Sequence, residues 1–237
     1  MKNILLASTS TIYGTDYLEY ILPELELFFI DVKEILFIPY ARPSGITYDE
    51  YTKIAKNAFA KIGISVKGIH QFKNVKDAVK NAKGLFVGGG NTFELVNQIY
   101  KNDILLDIEA AVYKGLKYFG TSAGTNICGP TMKTTNDMPI VYPPSFNTLG
   151  LVPFNINPHY LDPNPNSTHK GETRETRIKE FHVYNNTPVI GLREGSWIEV
   201  LDDEMILKGK LSARLFLKNK KPIEIASQSV INSYLKE

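Results

Sequence analysis

The chain has 237 residues, of which 43% are hydrophobic and 22% charged, with a formal net charge of +2. That balance is ordinary for a globular domain and gives no electrostatic basis for binding nucleic acid or an anionic membrane. No apolar run approaches the roughly 20 residues that span a bilayer, and the apolar stretch at Ile4–Ala7 is too short for a signal core and reads as a first strand. The single cysteine, Cys128, excludes an internal disulfide and points to a reducing, cytoplasmic setting.

In chain order, candidate strands fall at Asn3–Ser8, Glu34–Pro39, Ser65–Ile69, Gly84–Val87 and Leu116–Gly120. Helical patterns lie between them at Asp16–Phe29, Thr47–Lys61, Val75–Asn81 and Phe93–Tyr113, the last broken near Asn102. This βαβα rhythm predicts a mostly parallel sheet with helices on both faces. Such sheets place ligands at the carboxyl ends of their strands. From Thr131 to Pro165 the rhythm gives way to a Pro-, Asn- and Thr-rich stretch of the kind that carries function on a scaffold. Gly171–Tyr184 is helical again. Val189–Leu192, Ser196–Leu201, Glu204–Lys208 and Ala213–Leu217 read as short strands, with Asp202-Asp203 as a turn. No repeat or linker interrupts the chain, so residues 1–237 are expected to form a single α/β domain.

The chemistry concentrates at Gly120-Thr121-Ser122-Ala123-Gly124. The segment follows the apolar run Leu116–Phe119 and precedes Thr125–Cys128, which can start a helix. Strand, G-x-S-x-G, helix is the arrangement of a nucleophile elbow, in which side chains at the glycine positions would collide with neighbouring elements. A serine hydroxyl needs a base. His70, at a strand end, and His182, late in a helix, read as surface or capping residues. His159, after a strand-like run, and His169, before a helix, remain open as the base. Glu194, in Gly191-Leu192-Arg193-Glu194-Gly195, stands at a strand end where a carboxylate could orient an imidazole. Arg193 beside it would compete for that carboxylate if it pointed inward. Gly88-Gly89-Gly90-Asn91-Thr92 offers unencumbered amides for an oxyanion and a cap for the next helix. It matches neither phosphate-binding glycine motif, although a nucleotide site there stays open as an alternative.

Taken together, several segments resemble the peptidase E family, the α-aspartyl dipeptidases. They are Val87–Phe93, Gly120–Gly124, Thr134–Ile140, Ile156–His159, His169–Arg174 and Gly191–Trp197. The resemblance implies a class I glutamine amidotransferase-like fold and hydrolysis of dipeptides with an N-terminal aspartate. It implies a triad of Ser122 as nucleophile, His159 as base and Glu194 as orienting acid. Oxyanion donors would be Ala123 and the Gly88–Gly90 run, Gly89 and Gly90 foremost. Arg174 matches the position that would hold the aspartyl carboxylate, and guanidinium suits that task. Asn91 joins the substrate-binding set, as does Asp137, which would either meet the substrate's amino group or hold its loop in shape. No metal and no cofactor are implied. Thr121 stands where the family commonly has an aromatic residue and is expected to reshape the pocket wall. Cys128 is expected to be a small buried residue. Small aspartyl peptides are the expected partners. A cyanophycinase-like enzyme attacking β-aspartyl linkages, or a silent module that binds an acidic metabolite, would be the alternatives.

Overall fold

The structure, a computed structural model, describes residues 1–163, 166, 168 and 171–236. His169, the other histidine considered as a base, lies outside the described residues, as do Pro165 and Lys170 beside it.

Five strands form the parallel part of a large sheet: β1 (Asn3–Ala7), β2 (Glu34–Ile38), β3 (Ser65–Gly68), β4 (Gly84–Val87) and β5 (Lys117–Thr121). Two further strands, β8 (Ser196–Leu201) and β9 (Glu204–Gly209), extend it antiparallel, giving the order β3-β2-β4-β5-β1-β8-β9. A second sheet runs β11-β10-β7-β6. In it β6 (Asn155–Pro158) and β7 (Val189–Leu192) are parallel, and β10 (Ala213–Phe216) and β11 (Ile223–Ile225) are antiparallel neighbours. The large sheet is mostly parallel, as expected, with β8 and β9 antiparallel at one edge; β6 is the strand-like run before His159, and β11 was not separated from its surroundings.

The helices are α1 (Leu22–Phe28), α2 (Tyr48–Ala60), α3 (Val75–Asn81), α4 (Thr92–Lys101), α5 (Leu105–Tyr113), α6 (Ala123–Asn126) and α7 (Arg174–Tyr184). The first is half the expected length. Leu18 sits at φ 60° and only a single 3₁₀ turn, Glu19–Ile21, precedes Leu22, so the helix starts where Pro23 fixes its first turn. The expected break near Asn102 is present, made by Asp103 at φ 51°. Thr47 caps α2 in a capping box with Glu50. Among the described residues no helix is long and apolar enough to cross a membrane.

Strand residues alternate between two buried faces, which is why their sequences read as continuous apolar runs. Ile4, Leu36, Ile38, Leu85, Val87 and Tyr118 pack on one side; Leu5, Ile35, Phe37, Phe86 and Phe119 pack on the other. On that second face Phe86 stacks on Phe119 with centroids 4.7 Å apart and lies 4.9 Å from Phe37. This ladder fixes the spacing of β2, β4 and β5, whose carboxyl ends carry the site. Phe86→Ala is expected to lower stability by about 3–5 kcal/mol through lost burial and an unfilled cavity, read as the shift in the urea unfolding midpoint at unchanged m-value.

Candidate active site

Ser122 joins β5 to the single-turn α6 with φ 52° and ψ −110°, a backbone conformation unfavourable for a side-chain-bearing residue. Its neighbours make the turn sterically feasible. A Cβ on Gly120 would lie 2.6 Å from the Gly124 carbonyl oxygen, and a Cβ on Gly124 would lie 2.2 Å from that of Val87. Both collisions expected of the elbow glycines are thus real: α6 rests directly on the backbones of β4 and β5. Hydrogen bonds complete the lock. Ser122 N–H donates to Ala7 O at 3.1 Å, Thr125 Oγ1 bonds Ala7 O at 2.7 Å and Gly120 O at 2.8 Å, and Tyr118 Oη donates to Gly124 O at 2.6 Å.

The other two groups come from the second sheet. Because β6 and β7 are parallel and in register from Asn155↔Val189 to Pro158↔Leu192, the residues after them emerge side by side. His159 follows β6, and Glu194 follows β7. His159 Nε2 is 2.8 Å from Ser122 Oγ, and His159 Nδ1 is 2.6 Å from Glu194 Oε1. An ionised carboxylate only accepts, so Nδ1 carries the ring proton and Nε2 presents its lone pair to the serine hydroxyl. Tyr20 closes the outer side: its hydroxyl donates to Thr9 O at 2.7 Å, and burial, with the Glu194 charge adding to it, raises its pKa well above that of a free phenol.

His159 itself sits at φ 52°, and the surrounding bonds over-determine that conformation. Its N–H donates to Ser8 Oγ at 2.9 Å, the preceding Pro158 carbonyl accepts from Asn136 Nδ2 at 2.7 Å, and Tyr160 N–H donates to Leu192 O at 3.1 Å. Ser8, fully buried, passes its own proton to Leu192 O at 2.7 Å, so one hydroxyl joins the end of β1 to both strands that carry the imidazole and the carboxylate. Neither Ser8 nor Asn136 stood out as a site residue in the sequence, because a serine at a strand end has no pattern until β1 and β6 are placed together.

Arg193 points away from Glu194. It forms a bidentate pair with Asp162 (2.7 and 2.8 Å), and bonds Glu224 at 2.9 Å and the Ser212 carbonyl at 2.8 Å. Asp162 lies three residues after His159, so Arg193–Asp162 ties together the same two segments that His159–Glu194 joins. The guanidinium holds the Asp162 carboxyl below the usual carboxylate range. At Glu224 burial pulls upward, but Arg193 and Ser212 more than reverse it.

Ser122, His159, Gly89, Gly90, Asn91 and Asp137 all line one cavity of about 460 Å³, together with Arg42. A Cβ on Gly89 would lie 2.9 Å from Ser122 Cβ, which places this loop against the nucleophile. Gly90 takes φ 143° and passes so close to Ala41 O that a Cβ would lie 2.2 Å away. The amide of Gly88 is spent on Ile38 O at 3.1 Å, which removes it from the oxyanion donors. Among the described residues the amides of Gly89, Gly90 and Ala123 make no backbone hydrogen bond.

Asn91 is largely engaged structurally: Oδ1 caps α4 by accepting from Glu94 N–H at 3.1 Å, and Nδ2 donates to Met138 O at 2.9 Å. Asp137 holds its loop in shape. Its Oδ2 accepts from Thr92 N–H at 2.7 Å, Thr92 Oγ1 at 2.6 Å and Thr135 Oγ1 at 3.0 Å. Arg174, the first residue of α7, is half-buried and is not part of the cavity wall. Burial pulls its pKa down, Arg177 adds to that, and the nearby Asp137 charge opposes it.

Two expectations change. Thr121 is fully buried beneath the elbow, its Oγ1 without a partner among the described residues, so it cannot shape the pocket wall. His182 is buried rather than solvated, its Nε2 3.1 Å from Thr187 O. His70 is tied to Asp49 at 2.9 Å. Cys128 is buried as expected, and burial pushes its thiol up to about 12. Among the described residues no group of three or more His, Cys, Asp or Glu side chains is placed to hold a metal ion.

A partly buried serine on a strained strand-to-helix turn, hydrogen-bonded to an imidazole that is bonded to a carboxylate, fits a hydrolase of the serine-nucleophile class. Comparison with known proteins narrows this. The pattern of Peptidase family S51 matches residues 4–208, and the chain belongs to that family. It is 48% identical over 98% of its length to a protein of Streptomyces coelicolor named "Peptidase E", covering 95% of that protein. A Drosophila melanogaster protein named "Probable alpha-aspartyl dipeptidase" is 46% identical over 91% of this chain and 90% of its own. The crystal structure of a peptidase from an acI-B1 Actinobacterium shares the fold at a TM-score of 0.72, covering 98% of this chain and 96% of the other at 16% identity.

Ser8→Ala leaves the His159 amide without a partner and the Leu192 carbonyl with only the Tyr160 N–H. We expect a stability loss of about 1–3 kcal/mol, with a fall in kcat from the displaced imidazole, measured by denaturant unfolding and steady-state kinetics. The Arg193 cluster sets an acid limit. Carboxyls with lowered folded pKa stabilise the protein above their unfolded values of about 4 and lose that contribution as pH falls through the folded values. Arg193→Met should therefore flatten the fall of Tm between about pH 5 and about pH 2.

Proposed function

We propose that this chain is a serine-type dipeptidase that hydrolyses Asp-X dipeptides through Ser122, His159 and Glu194. The observation that carries the reading is the unbroken series from Ser122 Oγ through His159 to Glu194, at 2.8 and 2.6 Å. As Ser122 Oγ bonds to the scissile carbonyl carbon, its proton moves to His159 Nε2, and Glu194 stabilises the resulting imidazolium. The carbonyl oxygen becomes an anion facing the amides of Gly89, Gly90 and Ala123. The imidazolium then protonates the leaving amine, the C–N bond breaks, and an aspartyl ester remains on Ser122. Water, deprotonated by His159, attacks the ester, and aspartate leaves with the serine hydroxyl restored.

Selection for aspartate rests on Arg174. A half-buried guanidinium gains most from an anionic, bidentate partner, and Asp137 alone, already occupied at Oδ2, does not supply one. The names of the relatives support the same substrate class. In this reading the chain works as one domain of the class I glutamine amidotransferase-like type, since the site gathers residues from Ser8 to Glu194. A cytoplasmic location is supported by the lone cysteine.

The test is hydrolysis of Asp-Leu beside Glu-Leu, Ala-Leu and β-Asp-Leu. Asp-Leu alone should be cleaved, Ser122→Ala should lose activity by about 10⁴-fold or more, and Arg174→Ala should lower kcat/KM by about 10²-fold. Folded protein that leaves Asp-Leu intact, or cleaves Ala-Leu as fast, would overturn the reading.

A further inference from the structure

The cavity beside Ser122 carries an arginine, Arg42, that the proposed triad and aspartyl clamp leave unused. Arg42 lies just beyond the carboxyl end of β2, and its backbone is fixed on both sides: Arg42 N–H donates to Pro39 O at 3.3 Å, and Ala41 O accepts from Asn91 N–H at 2.7 Å. Its guanidinium carbon stands 5.2 Å from the centroid of the buried Tyr51 ring, and burial raises the pKa of the Tyr51 hydroxyl while the Arg42 charge partly offsets that. That hydroxyl in turn donates to Gly89 O at 3.1 Å. One tyrosine therefore braces the loop against the nucleophile and supports the arginine. Among the described residues Arg42 makes no ion pair, and it lines the cavity together with Asp137, so the wall carries one cation and one anion.

We propose that Arg42 is the subsite for the C-terminal carboxylate of the dipeptide, and so limits substrate length; this rests on the Asp-X reading above. An Asp-X dipeptide has two carboxylates, and Arg174 answers only the aspartyl one. The terminal carboxylate lies one residue past the scissile bond, with Cα atoms about 3.8 Å apart, and every further residue carries it roughly 3.3–3.6 Å onward. Arg42, Pro43 and Ser44 also border an adjoining cavity of about 650 Å³, whose wall includes Glu50 and Glu94. A longer peptide would leave Arg42 behind and bring its terminal carboxylate toward two anions, which disfavours it. A dipeptide ends at the cation.

The experiment compares kcat/KM for Asp-Leu, Asp-Leu-amide, Asp-p-nitroanilide and Asp-Leu-Leu in the wild type, Arg42→Ala and Arg42→Lys, with far-ultraviolet circular dichroism to confirm folding. The wild type should prefer Asp-Leu over its amide by about 10²-fold. Arg42→Ala should lose about that factor on Asp-Leu, mainly in KM, and stay within about 3-fold of wild type on the amide and the anilide. The Asp-Leu-Leu to Asp-Leu ratio should rise in Arg42→Ala, and Arg42→Lys should recover part of the loss. Equal losses on acid, amide and anilide would overturn the proposal and make Arg42 a support for Tyr51 and Gly89. Wild-type cleavage of the anilide tests the underlying reading separately. If the anilide is cleaved but acid and amide are treated alike, only the Arg42 subsite falls.

Discussion

The close approach of Gly124 to the Val87 carbonyl, nearer than any side chain would allow, lets a helical turn lie flat on the carboxyl ends of β4 and β5. Everything at the site depends on that contact. It bends the chain sharply enough to lift Ser122 out of the sheet at φ 52°, a conformation that costs on the order of 1–3 kcal/mol. The strain persists because the ladder of buried aromatic rings and the bonds from Thr125, Tyr118 and Ser122 to adjacent backbones leave the turn no relaxed alternative.

Ser122 follows a strand of one sheet, and His159 and Glu194 follow strands of the other, so the geometry of the proposed triad is set by how the sheets are joined. Ser8 makes that joint. It ends β1 in the large sheet while bonding His159 and Leu192 at the ends of β6 and β7. On the far side, Arg193 and Asp162 bind the same two segments through charge rather than through the reacting groups. The two tethers hold the imidazole in place, which suits the base role proposed for His159.

Charge around the cavity follows the same economy. Asp137 spends one oxygen on the start of α4 and so fixes the loop that carries Asn91 and Met138. Arg174 and Arg42 come from distant parts of the chain, one within electrostatic reach of Asp137 and one on the Tyr51 ring. A small zwitterionic peptide with an extra carboxylate matches that distribution better than a neutral one does.

Much of this architecture is legible in the amino-acid sequence. The strands β1, β2, β4 and β5 were legible as apolar runs because both faces of the sheet are buried there, the edge strand β3 read as a strand although it alternates, and the elbow was legible because only glycine fits at Gly120 and Gly124. The resemblance singled out His159 over His169. What residue order could not convey was proximity. The run before His159 read as strand-like, but its pairing with β7, more than thirty residues away in sequence, was not legible from propensity. The direction of Arg193, the structural duties of Asn91 and Asp137, the burial of Thr121 and the bridge made by Ser8 were likewise decided in three dimensions. Local sequence determines which chemistry is available at each strand end. Tertiary packing decides which of those ends meet, because hydrogen bonds and charges act over a few ångströms and the groups they join here are up to 184 residues apart.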